Sequence, residues 1–126
     1  MIVRDLSPEA VAKMTRVDLA TVEDEPPSPM EEFEFHGCTC GVASAIGQGP
    51  WELHTTGDEL LHVLSGEFEL FIREQGGEVS QVLRQGDLAV VPKGCWHRGV
   101  PAPDGATFLY LTPVEGNRHS MDDPSS

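Results

Sequence analysis

Two short stretches of this 126-residue chain concentrate side chains that bind metal ions or move protons. The first is Trp51-Glu52-Leu53-His54-Thr55-Thr56-Gly57-Asp58-Glu59, with Glu52 and His54 two residues apart. On an extended strand that spacing puts both side chains on one face. Glu59 opens the next apolar run after a Gly57-Asp58 turn, where it can lie across from His54. The second stretch, Gly86-Asp87-Leu88-Ala89-Val90-Val91-Pro92-Lys93-Gly94-Cys95-Trp96-His97, carries a turn that delivers His97 onto a strand whose inward positions would be Cys95, His97 and Gly99. Two imidazoles and two carboxylates meeting inside a small domain are costly without a cation, because Glu52 and Glu59 would be like charges in a region of reduced dielectric. A divalent ion removes that repulsion and leaves positions open for water or substrate. The mixture of two His and carboxylate oxygen suits non-haem Fe or Mn first, with Ni and Zn also compatible. Glu52 has a second role open to it, as a general base or as a hydrogen-bond partner of substrate or of a ligand histidine.

The other chemically active side chains carry weaker signals. His62 follows Glu59 by three residues, so strand alternation turns it to the opposite face, as a packing or surface histidine. His36 and His119 are expected to take no part. Cys95 shares parity with His97 but reads as a small core thiol, and Phe108 and Tyr110 read as core aromatics. Cys38 and Cys40, with no base or helix start beside them, are poor redox candidates, and an odd total of three cysteines suits reduced thiols.

Holding four such residues in place calls for strands, and the chain supplies them. Ser7-Pro8-Glu9 starts a short helix running to about Met14, with a Ser cap and Pro in the first turn. Arg16 to Val22 alternates as a strand or extended arm, and Glu25-Pro26-Pro27-Ser28-Pro29 is a linker. From Phe33 the pattern is β throughout. The segments Cys38 to Ile46, Trp51 to Thr56, Glu59 to Leu64, Glu67 to Arg73, Glu78 to Leu83, Leu88 to Val91, Cys95 to Val100 and Thr107 to Leu111 are separated by Gly-rich turns. The expected division is a helix and arm over 1–31, a β-barrel or sandwich over 32–115 and a flexible polar tail over 116–126. Both parities of Glu59 to Leu64 are largely apolar, so both faces of that strand should be covered, with the N-terminal arm as one candidate cover.

Composition narrows the partners. Eight Lys+Arg against 21 Asp+Glu give a net charge of −13, with Glu23-Asp24-Glu25 and Glu31-Glu32-Phe33-Glu34 as acidic runs that favour solubility. That field repels nucleic acid and anionic membrane surfaces. No apolar run is long enough to span a bilayer, and Met1-Ile2-Val3-Arg4-Asp5 does not open a signal peptide, so a cytoplasmic location is expected.

Taken together, the two stretches resemble the motifs of the cupin family. Its first motif runs G, five residues, HxH, three or four residues, E, six residues, G. Here His54, Glu59 and Gly66 match its latter part, with Glu52 at the first-histidine position and the first glycine displaced. Its second motif runs G, five residues, PxG, two residues, H, three residues, N. Gly86, Pro92, Gly94 and His97 match it, and Pro101 stands at the terminal Asn position. A Glu in place of the first histidine is similar to a variant of small single-domain cupins. The resemblance implies an all-β fold, a double-stranded β-helix (jelly-roll) barrel with a short N-terminal helix and arm. It also implies a divalent metal held by Glu52, His54, Glu59 and His97. The reaction classes it implies on a small polar ligand are isomerase, epimerase or dioxygenase, with non-catalytic binding or sensing as the alternative; cupins of this kind are often dimers, so a homodimer is expected.

Overall fold

The computed structural model describes residues 1–22 and 26–124. The acidic run Glu23-Asp24-Glu25, the first residue of the expected linker and the last two of the tail lie outside them. Helix α1 (Pro8–Ala12) starts as its sequence dictates: the Ser7 hydroxyl accepts from the Ala10 N–H at 3.2 Å, Pro8 needs no donor partner, and Glu9 supplies first-turn acid. It ends at Ala12, a turn's fraction short of Met14. Of the expected arm only Val17–Asp18 is strand (β1), lying parallel to Ala45 and Ile46.

Eight further strands follow: β2 (Phe33–Phe35), β3 (Cys38–Ile46), β4 (Trp51–His54), β5 (Glu59–Glu74), β6 (Gly77–Arg84), β7 (Leu88–Val91), β8 (His97–Pro113) and β9 (Asn117–Ser120). They form one curled sheet, the jelly-roll arrangement expected from the sequence. Two pairs of expected strands are fused. Glu59 to Leu64 and Glu67 to Arg73 are halves of β5, and Cys95 to Val100 and Thr107 to Leu111 are merged in β8, which begins at His97. β5 and β8 run antiparallel from Leu60↔Leu111 to Ile72↔His97, with register shifts between Val63 and Ser65 and between Gly66 and Phe68. The irregularity lets one strand serve two ladders, pairing β7 through residues 59–62 and β6 through residues 67–74.

Gly66 makes that bend possible. Its φ is +72°, and a Cβ there would sit 2.2 Å from the carbonyl oxygen of Gly105. Backbone cannot step aside as a side-chain tip can, so Gly66→Ala combines a left-handed non-glycine residue with a clash, and an expected loss of about 2–4 kcal/mol. Urea unfolding of the variant measures it, and an unchanged midpoint would show that the bend tolerates a side chain.

Strand alternation sorts the side chains into two apolar layers. Leu61, Val63, Phe68, Leu70, Leu83 and Val91 fill the interior, with Phe108 and Tyr110 packed against them as the sequence suggested. On the outside, Leu64 joins Cys40, Val42 and Met30 in a second cluster that Leu6 and Met14 cover. The arm of the same chain therefore covers this part of the barrel, which explains why both parities of the strand are apolar.

The segment expected as a flexible tail needs correction over Asn117–Ser120, which is strand β9, antiparallel to β4. Polar composition suggested looseness, yet those groups are engaged: β4 is short and has a free edge, and β9 fills it. The Thr55 and Thr56 hydroxyls fasten the preceding turn by donating to the Gly116 and Glu115 carbonyls, both at 2.9 Å. No helix among the described residues is long and apolar enough to cross a membrane.

Candidate metal centre

Glu52 and His54 project from one face of β4, Glu59 starts β5, and His97 starts β8 directly across from Glu52. The turn before His97 is tied to the β4–β5 turn by backbone donors. The Gly94 N–H reaches the His54 carbonyl at 2.8 Å, and the Lys93 N–H reaches Asp58 Oδ1 at 2.9 Å. The two sequence stretches are thereby one structural unit, and all four sequence-selected residues converge, with one potential ligand atom from each lying within 4.8 Å of the others.

Their immediate partners decide which atoms face the centre. His54 Nδ1 lies 2.9 Å from Asn117 Oδ1, while Asn117 Nδ2 donates to the Pro113 carbonyl at 2.7 Å. That second bond orients the amide, so Oδ1 must accept and His54 Nδ1 must carry the proton. His97 Nδ1 donates to the Cys95 carbonyl at 3.1 Å. In neutral imidazoles of this tautomer both Nε2 atoms present lone pairs, and they point at carboxylates. His54 Nε2 is 3.3 Å from Glu59 Oε2, and His97 Nε2 is 3.2 Å from Glu59 Oε1. Glu52 Oε2 is 3.7 Å from both. The buried His54 Nε2 makes no hydrogen bond among the described residues. Lone pair facing carboxylate is repulsive unless a proton or a cation lies between them, and N/O donors at this spacing fit a divalent ion.

Without an ion, protons take that place. Burial would lower the His97 pKa, but Glu52 and Glu59 outweigh it and raise it to about 10. His54 is also raised: burial opposes, and the negative charge of the neighbouring Glu59 carboxylate prevails. Desolvation would raise the Glu52 carboxyl, yet His119 and His97 hold it at about 2. Glu59 is likewise lowered, against burial, by His54 and His97. A metal ion and the Nε2 protons compete for the same lone pairs, so uptake at pH 7 must expel at least the His97 proton. Calorimetric titration with Mn²⁺ in buffers of different ionisation enthalpy should show release of one proton or more per ion; zero release would mean that the ion avoids His97.

Three of the four side chains are 3–6% exposed, and Glu52, at 35%, forms the solvent-facing side. Several residues here escaped the sequence reading. Thr112 donates to Glu59 Oε2 at 2.5 Å. Asn117 holds His54, and His119, expected to be uninvolved, lies with its Nε2 3.5 Å from Glu52 Oε1. Asn117 and His119 repeat the two-residue spacing of Glu52 and His54, a signal that acquires meaning only once β9 is known to pair with β4. Cys95 contributes its carbonyl rather than its half-buried thiol. His62 faces away, as its parity required, beside the Asp87 carbonyl. Cys38 and Cys40 are free thiols, and burial pushes the Cys40 thiol upward in pKa, away from nucleophilic use.

Residues 44–113 match the sequence profile of the family described as Cupin domain. Comparison with curated protein sequences finds no match. Among solved structures, protein NMB1881 from Neisseria meningitidis is similar with 26% identity and a TM-score of 0.54, over 75% of this chain and 91% of that one. Hydroquinone 1,2-dioxygenase from Sphingomonas sp. TTNP3, solved with 4-hydroxybenzoate bound, has 20% identity and a TM-score of 0.53, over 66% of this chain and 62% of that one. Hydroxypropylphosphonic acid epoxidase from S. wedmorenis, in complex with fosfomycin, has 17% identity and a TM-score of 0.52. The match spans 60% of this chain and 43% of the epoxidase chain. At the identities of the last two, the likeness is one of fold.

Proposed function

This chain belongs to the cupin family, and from that premise we propose that it is a metal-dependent enzyme acting on a small polar molecule. The substrate class is a sugar, hydroxy-ketone or carboxylate able to present two oxygens to the ion. The observation that carries the reading is the pair of imidazole Nε2 atoms directed at two carboxylates, with His54 Nε2 left without a hydrogen bond. His54, Glu59 and His97 would hold the ion on the buried side, with Glu52 at its solvent-facing edge. Fe or Mn suits this donor set best, with Ni and Zn as alternatives. Such an ion would supply Lewis-acid polarisation of a carbonyl or, as iron, reactivity toward O₂.

The protein's own groups have separable tasks. Glu59 keeps both histidines oriented through its two oxygens, and Thr112 keeps Glu59 oriented. Leu61, Val63, Phe68, Leu70 and Val91 make the barrel interior apolar. Substrate approaches past Glu52, the exposed member, whose carboxylate is ionised at neutral pH and faces both histidine Nε2 atoms. Isomerase or epimerase chemistry and dioxygenase chemistry are the two reaction classes proposed.

Elemental analysis of anaerobically purified protein is the direct test, followed by a screen of small hydroxy-acids and sugars for metal-dependent binding and turnover. About one equivalent of a divalent transition metal is expected. Protein that contains none, and whose melting temperature does not move on addition of Fe²⁺, Mn²⁺, Ni²⁺ or Zn²⁺, would sink the proposal.

A further inference from the structure

Resting on that reading, we infer that strand β9 is the outer support of the metal centre. Asn117 and His119 are positioning residues that aim His54 and Glu52 at the ion, and the ion in return fastens β9 to β4. The two strands pair so that His54 faces Asn117 and Glu52 faces His119. Directly opposed residues of an antiparallel pair share a face, so both β9 side chains lie on the ligand side. Asn117 fixes the tautomer of His54: a flipped amide would set its oxygen against the Pro113 carbonyl and its NH₂ against Nδ1–H. His119 occupies one oxygen of Glu52, Oε1 at 3.5 Å, and thereby leaves Oε2 as the oxygen nearest both histidines. Glu52 is the most exposed of the four, hence the one with most freedom to swing into water if that contact is lost.

The attachment of β9 is of a kind that an ion can shift. None of Asn117–Ser120 belongs to either apolar cluster, so the strand is held by its ladder and by polar side-chain contacts. Elements with little buried apolar area open at low free-energy cost. Beyond it, Arg73 pairs with Asp123 at 2.6 Å and donates to the Pro124 carbonyl, so the segment remains tethered when the ladder opens. If docked β9 improves metal affinity, bound metal must stabilise docked β9 by the same factor.

Co²⁺ binding, measured by competition with a chromophoric chelator, tests this in the full-length chain and in Asn117→Ala, Asn117→Asp, His119→Ala and His119→Gln variants. Asn117→Ala should weaken binding about 10–100-fold, the range for partners of metal-bound histidines. Asn117→Asp, whose carboxylate still accepts the Nδ1 proton, should recover most of it. His119→Gln, which keeps a donor for Glu52, should outperform His119→Ala. The visible Co²⁺ spectrum should change in Asn117→Ala and be restored in Asn117→Asp. Co²⁺ should also slow hydrogen exchange of residues 117–120 in the wild type and do so less in Asn117→Ala. If Asn117→Ala proves poorly folded, exchange in the wild type with and without Co²⁺ decides. Wild-type protein that takes up no Co²⁺ would overturn the metal reading itself. Normal uptake with wild-type affinity in Asn117→Ala, or with unaltered exchange over 117–120, would overturn the role of β9 alone.

Discussion

Glu59→Gln is expected to weaken divalent-metal binding by more than about a hundredfold, beyond the 10–100-fold that loss of an outer-shell partner costs. The substitution keeps the volume and planarity of the side chain and removes only its charge. Glu59 is 5% exposed, and its two oxygens face the two histidine Nε2 atoms. An amide presents an NH₂ group to one of those lone pairs, so it satisfies the metal-free geometry in part while offering the ion a neutral and singly useful oxygen. The metal-free protein should also lose about 1.5–3 kcal/mol, the scale of a hydrogen bond to a charged partner, because the His97 imidazolium loses one of its two carboxylates. Circular dichroism should show a folded β protein, and Mn²⁺ or Co²⁺ competition titration reads the affinity. An affinity within tenfold of wild type would remove Glu59 from the set of ligands.

Stripping the metal should lower the melting temperature by about 10 °C at pH 8. The arithmetic is linkage: an ion at a hundred times its dissociation constant stabilises the folded state by about 2.7 kcal/mol, and a domain of this size shifts by several degrees per kcal/mol. The pH dependence has a definite sign. His97 rises from 6.5 to about 10 in the metal-free fold, so its contribution is complete below 6.5 and disappears as pH climbs towards 10. Glu52 falls from 4.5 to about 2, so its contribution is complete above 4.5 and disappears as pH drops towards 2. Chelator-treated protein should therefore lose stability steadily between pH 6.5 and 10. The loaded protein is spared that loss, since the ion stands where the His97 proton stood. The gap between melting curves with and without chelator should widen from pH 6.5 to pH 9. A gap that stays constant or narrows would mean that the ion and the His97 proton do not compete.

The cupin membership and the β-barrel were legible in the chain because both rest on local rules. Period-two alternation, Gly-rich turns and the spacing of His54, Glu59, Gly66, Gly86, Pro92, Gly94 and His97 are properties of short segments. So is the reason behind Gly66, where one backbone conformation excludes every side chain. The convergence of Glu52, His54, Glu59 and His97 could be anticipated for the same reason, since two short motifs carry all four. The fusion of four expected strands into β5 and β8 was not legible, because Ser65-Gly66 in β5 reads equally as a turn or as a bulge and Pro101-Ala102-Pro103-Asp104-Gly105 in β8 reads as a break, and only the neighbouring ladders decide.

The surroundings of the site belong to tertiary structure. Thr112, Asn117 and His119 lie 53, 63 and 67 positions from the residues they support in Glu59, His54 and Glu52, and no short-range pattern connects them. Composition alone marked the C-terminal segment as loose, whereas the open edge of β4 makes part of it a strand. Local sequence thus determined which residues could bind an ion and that strands would carry them. The tautomer each histidine adopts, the oxygen Glu52 turns inward and the face open to solvent were decided by long-range pairing, because a hydrogen bond is specified by where its partner ends up in space.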